Sequence, residues 1–119
     1  MIHITICEDP DGYIYSFSAT GHAGYADAGS DIICAAVTAL ATTAIGSLQE
    51  LAGFDPDHVL EDGCIEMTLP AQTGLSEQQR QTVMVLMNSL VIGCRQIQAS
   101  YGKRYIRIRT ETKCGRKNL

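Results

Sequence analysis

The chain has 119 residues, 45% of them apolar and 18% charged, with a net charge of −4, which suits one domain burying its own core without metals or cross-links. No unbroken apolar run reaches the roughly 18 residues that a membrane span needs, so a soluble protein with no membrane partner is expected. The N-terminus alternates like a strand and lacks the basic start, apolar stretch and cleavage site of a secretion signal, which makes the cytoplasm the expected location.

Ile2, Ile4 and Ile6 share one side of a first strand, and Tyr13 to Thr20 repeats the two-residue period. Asp9-Pro10-Asp11-Gly12 between them is a turn signal, because proline presets one backbone angle and glycine accepts a positive φ, so a hairpin is predicted. A small-residue loop follows, 21–30, and then a helical pattern from Asp31 to Leu51. Its apolar positions are Ile33, Val37, Leu40, Ala44, Leu48 and Leu51, with Ser30 or Asp31 as cap and Gly53 as terminator. Val59-Leu60-Glu61 and Cys64 to Leu69 flank Asp62-Gly63, the pair that a two-residue hairpin turn favours. Ser76 and Gln79 form a capping-box pattern before a second helix, whose stripe of Val83, Leu86, Leu90, Cys94, Ile97 and Tyr101 runs up to Gly102. Met84, Val85, Met87, Val91 and Ile92 exceed what one sheet contact needs, which points to self-association. Tyr105 to Glu111 alternates as a half-exposed last strand.

The order ββαββαβ predicts an α+β fold: a mostly antiparallel sheet of about five strands with two helices on one face. One domain, 1–119, ends in a short basic tail. Residues 1–102 carry two basic and twelve acidic side chains, whereas 103–119 carry seven basic and one acidic. An acidic body attracts basic partners and a basic tail attracts anionic ones such as nucleic acid, although solvated surface is the simpler account of such charges.

The five cysteines (Cys7, Cys34, Cys64, Cys94, Cys114) are irregularly spaced, with no C-x-x-C pair, so reduced thiols are expected, with no metal site and no cofactor. Cys34 falls in the first turn of the first helix, where unpaired amides and the positive end of the dipole lower a thiol's pKa and can hold an oxyanion. His22 closes the second strand eight residues before Ser30, within reach of Cys34 if the loop folds back, and histidine titrates in the range a general base needs. Each residue also has an ordinary reading, as a packed cysteine and a surface histidine.

The segment Gly21-His22-Ala23-Gly24-Tyr25-Ala26-Asp27-Ala28-Gly29-Ser30-Asp31-Ile32-Ile33-Cys34-Ala35-Ala36-Val37 resembles the signature of the ribosomal-processing cysteine protease (Prp) family. That signature is a Gly-His pair, a glycine-containing loop and an Asp-x-x-Cys-Ala-Ala helix start. The resemblance implies a homodimeric thiol endopeptidase with a Cys-His dyad, Cys34 as nucleophile and His22 as base. It implies as substrate a large-subunit ribosomal protein whose short N-terminal extension is removed before or during ribosome assembly. Asp31 either orients His22 or caps the helix. Thr38, one turn beyond Cys34, stands where the family often has serine, and Tyr25 and Thr38 are candidates for a substrate groove. Gly21, Gly24 and Gly29 serve the shape and motion of the loop.

Two other readings fit the sequence. A noncatalytic dimeric module would bind ribosomal RNA or protein through Arg107, Arg109, Lys113, Arg116 and Lys117. A cysteine-dependent thioesterase or amidase would keep the nucleophile and change the acyl compound.

Overall fold

The structure is a computed structural model that describes residues 1–26 and 31–112. Gly29 and Ser30, and the tail residues Lys113, Cys114, Arg116 and Lys117, lie outside the described residues.

The elements are β1 (Ile2–Glu8), β2 (Ile14–Thr20), α1 (Ile32–Ser47), β3 (Asp57–Glu61), β4 (Cys64–Thr68), α2 (Glu77–Tyr101) and β5 (Ile106–Thr112). They form one five-stranded sheet in the order β3-β4-β2-β1-β5, the predicted α+β arrangement. All pairings are antiparallel except that of β5, which runs parallel to β1 at the edge. A parallel partner requires a long crossover, and α2 supplies it by carrying the chain from β4 past β2 and β1.

Register sorts the two faces. Ile108, Ile4, Ala19, Ile65 and Leu60 lie in one row across all five strands, with Ile6, Phe17 and Met67 in the row beside it. That face carries the core, in which Phe17, Ile4 and Ile6 are sealed together with Ile33, Val37 and Leu48 of the first helical stretch and Val83, Met87 and Cys94 of α2. Thr5, Ser18, Glu66 and Arg109 form a row on the other, polar face, the alternation of a sheet covered on one side.

Two predicted stripes shift. α1 passes into a five-residue π-type turn, Leu48–Ala52, closed by the Gly53 N–H donating to Leu48 O at 3.0 Å. The wider turn adds a residue to the period, so Ala52 is buried and Leu51, expected inside, is exposed. In α2, Met87 and Val91 belong to the core, which leaves Val85 and Ile92 as the exposed apolar surplus. The 21 residues Ile32–Ala52 are also apolar enough to cross a membrane by composition, contrary to the sequence reading. Alanine and threonine dilute the run, and its apolar side faces the sheet and α2.

α2 begins in the predicted capping box of Ser76 and Gln79, and the Gln79 side chain also donates to Ala52 O at 3.0 Å, tying its start to the end of the first helical stretch. Register pairs Thr20 with both Cys64 and His3. The end of β2, the starts of β1 and β4 and the β3–β4 turn therefore meet at one end of the sheet, beside the start of α1.

Candidate active site

Asp31 is the N-cap of α1. Its Oδ1 accepts from the amides of Ile33 (2.9 Å) and Cys34 (3.1 Å), and its Oδ2 from that of Tyr25 (3.1 Å). Burial opposes ionisation of this carboxyl, but the amides of Cys34, Tyr25, Ile33 and Ala26 outweigh it and hold its pKa below the usual value. Capping, one of the two roles open from sequence, is the one the contacts describe.

Cys34 is half-buried in the first helical turn, where the Ala23 amide donates to its Sγ at 3.4 Å. The sequence argument expected a lowered thiol pKa, and the structure reverses it. Burial pushes the thiol up; the Ala23 amide pulls it down, but the carboxylates of Asp31 and Asp62 add to the rise. The reason is the cap itself. Amides that would have served a thiolate are taken by Asp31, which also sets a negative charge beside the sulfur. The amide presented to the sulfur comes from the loop after β2, not from the helix. Asp31→Asn keeps a capping oxygen and removes the charge, so alkylation of Cys34 by iodoacetamide at mildly alkaline pH should quicken by roughly threefold. Mass spectrometry of the Cys34 peptide reads this, and an unchanged or slower rate would discard the electrostatic account.

His22 follows β2, and its carbonyl accepts from the Met1 nitrogen. Its ring rests on the β3–β4 turn, where a Cβ added to Gly63 would lie 2.9 Å from Nε2. Asp62 Oδ1 is 4.0 Å from the same nitrogen. A cleft of about 320 Å³ has His22, Cys34, Thr38, Leu60, Asp62 and Gly63 among its walls. A second, of about 760 Å³, shares His22, Cys34, Thr38 and Asp62 with it and adds Asp31. Cys34 and His22 thus open onto the same space.

The other predicted site residues divide. The Thr38 hydroxyl lines both clefts and donates to Cys34 O at 2.9 Å, so its hydrogen goes to the backbone and not to the sulfur. Tyr25 is absent from both sets of walls; its ring stands edge-on to Tyr101 and Tyr105, with centroids at 5.6 and 5.3 Å. Gly21 and Gly24 hold positive φ of 93° and 72°, and Gly29 lies outside the described residues. Cys34, Cys64 and Cys94 are free thiols, and burial pushes Cys94 up to about 12. Cys7 is disulfide-bonded, which corrects the all-thiol expectation for it, since sequence spacing does not fix the separation that decides pairing. Among the described residues no three His, Cys, Asp or Glu side chains group to hold a metal. Sequence reasoning missed Asp62, which it used only as a turn former.

A family model described as Cysteine protease Prp matches residues 1–107. The Bacillus subtilis ribosomal processing cysteine protease Prp is 34% identical over 103 residues, covering 85% of this chain and 90% of that protein. Among solved structures, the Staphylococcus aureus ribosomal processing protease Prp with a covalently linked product peptide superposes with a TM-score of 0.79 at 19% identity, over 93% of this chain and 100% of that one. SMU.848 from Streptococcus mutans superposes with a TM-score of 0.77 at 24% identity, over 95% and 96%.

Proposed function

We propose, from the premise that this chain belongs to the Prp family of cysteine proteases, that it removes the short N-terminal extension of a large-subunit ribosomal protein, with Cys34 as nucleophile and His22 as its base. Membership makes the chain a thiol peptide hydrolase; the dyad and the substrate are our reading. The observation that carries the dyad is that Cys34 and His22 line the same two clefts.

In this reading His22 takes the Cys34 proton as Sγ bonds to the scissile carbonyl carbon. The proton then passes to the leaving amine as the C–N bond breaks, leaving a thioester that water hydrolyses to free acid and thiol. Because the thiol is pushed up, the base works in the bond-forming step itself and does not meet a standing thiolate. The Ala23 amide eases the charge on sulfur as it develops.

Substrate choice has an electrostatic support. Asp62 and Glu61 line the smaller cleft and Asp31 the larger, so a basic polypeptide is drawn to this end of the molecule. Arg107 and Arg109 are exposed on β5, the described part of the basic surface through which the alternative reading, a noncatalytic module, would bind ribosomal RNA or protein. Val85 and Ile92, exposed and two turns apart on α2, supply an apolar contact for a homodimer.

The test is cleavage of a large-subunit ribosomal protein bearing its N-terminal extension, followed by mass spectrometry at low and moderate salt, with wild type and Cys34→Ala. One cut by wild type, slowing as salt rises, and a loss of at least about a thousandfold in Cys34→Ala are expected. Cleavage by a folded Cys34→Ala protein would remove the nucleophile. Turnover of thioesters with no cut in any peptide would move the chemistry to another acyl compound.

A further inference from the structure

We infer that Asp62, at the tip of the β3–β4 turn, is the positioning residue for His22, and that Asp31 is not. The inference rests on the reading of Cys34 and His22 as nucleophile and base, and names the group that sets the base.

A base that must take a thiol proton through one ring nitrogen needs the other held, so that tautomer and orientation are fixed. Asp31, the acid nearest Cys34 in sequence, has both oxygens occupied by amides of Ile33, Cys34 and Tyr25, and it acts on the helix start. Asp62 Oδ1 faces His22 Nε2 at 4.0 Å, longer than a hydrogen bond but closed by a small rotation of a side chain that is 92% exposed.

Three features fix the imidazole against this turn. Gly63 offers a bare backbone, where any Cβ would crowd Nε2 at 2.9 Å. The Gly21 amide donates to Gly63 O at 2.9 Å and ties the end of β2 to the turn. Strand pairing of Glu61 with Cys64 locks the turn itself. With Nε2 directed at Asp62, Nδ1 is the nitrogen left to exchange a proton with Cys34. As the imidazole becomes imidazolium, the carboxylate stabilises the charge that forms.

Because Asp62 is exposed, water and salt screen it, and its effect is smaller than that of a buried triad acid. The test compares Asp62→Asn, Asp62→Glu, His22→Ala and the double variant His22→Ala/Asp62→Asn in one cleavage assay. Asn-Gly is as good a hairpin turn as Asp-Gly, so Asp62→Asn should keep the wild-type urea midpoint. Its kcat should fall about tenfold at unchanged KM, Asp62→Glu should recover part of that loss, and the double variant should be no slower than His22→Ala alone. Wild-type kcat in Asp62→Asn, or an equal further loss in the His22→Ala background, would overturn the positioning role and leave the dyad standing. Wild-type cleavage by His22→Ala would instead remove the dyad on which the inference rests.

Discussion

Replacing His22 by alanine should lower kcat/KM roughly 10²- to 10⁴-fold and leave Cys34 with a steep alkaline dependence of its own. The Cys34 thiol lies above its ordinary value of 9.0 because it is buried and flanked by the carboxylates of Asp31 and Asp62, against one helpful amide from Ala23. A thiol in that state is protonated at neutral pH, and without a base its thiolate fraction climbs about tenfold for each pH unit below its pKa. Alkylation of Cys34 in His22→Ala, followed by mass spectrometry of the Cys34 peptide, should therefore keep rising from neutral pH to at least pH 9. A rate that levels off near neutrality would mean that the thiol ionises unaided, and that His22 serves the leaving amine only.

That expectation runs opposite to the one drawn from sequence, and the contrast shows what a linear reading can reach. Both hairpins were legible because Asp9-Pro10-Asp11-Gly12 and Asp62-Gly63 are local turn chemistry. The second helix was legible because Ser76 and Gln79 form a local capping box. Pairing β5 parallel to β1 depends on where α2 sets the chain down, and the π-type turn that exposes Leu51 depends on the fit of Leu48 and Ala52 into the core. Neither is local. The site divides in the same way. Cys34 at a helix start and His22 at a strand end were visible as a pair, whereas the sign of the thiol shift required knowing which oxygen takes the Cys34 amide. Asp62 was hidden because the hairpin turn already accounted for it, and only the fold brings it to His22, forty residues earlier in the chain.

Gly21→Ala should be the most damaging of the loop substitutions, costing roughly 2–4 kcal/mol of stability and reducing cleavage even under conditions where the variant is fully folded. Gly21 combines a φ of +93° with a close approach: an added Cβ would sit 2.5 Å from the carbonyl oxygen of Met1, a backbone atom with no rotamer to yield. Relieving that contact means moving the start of β1 or the end of β2, and the Gly21 amide is what binds β2 to the turn at Gly63. His22 is the next residue, so the displacement reaches the imidazole directly. Gly24 is the control, because its φ is +72° but nothing lies within 4 Å of a Cβ built there. Gly24→Ala should therefore show only the backbone strain, on the order of 1 kcal/mol. Urea midpoints give the two stabilities, and kcat at a denaturant-free temperature well below both melting transitions gives the effect on the site. Equal midpoints for the two variants would show that β1 yields to the Cβ without cost. A Gly21→Ala protein with a lowered midpoint but wild-type kcat would show that the link from the end of β2 to the turn supports the fold and not the position of His22.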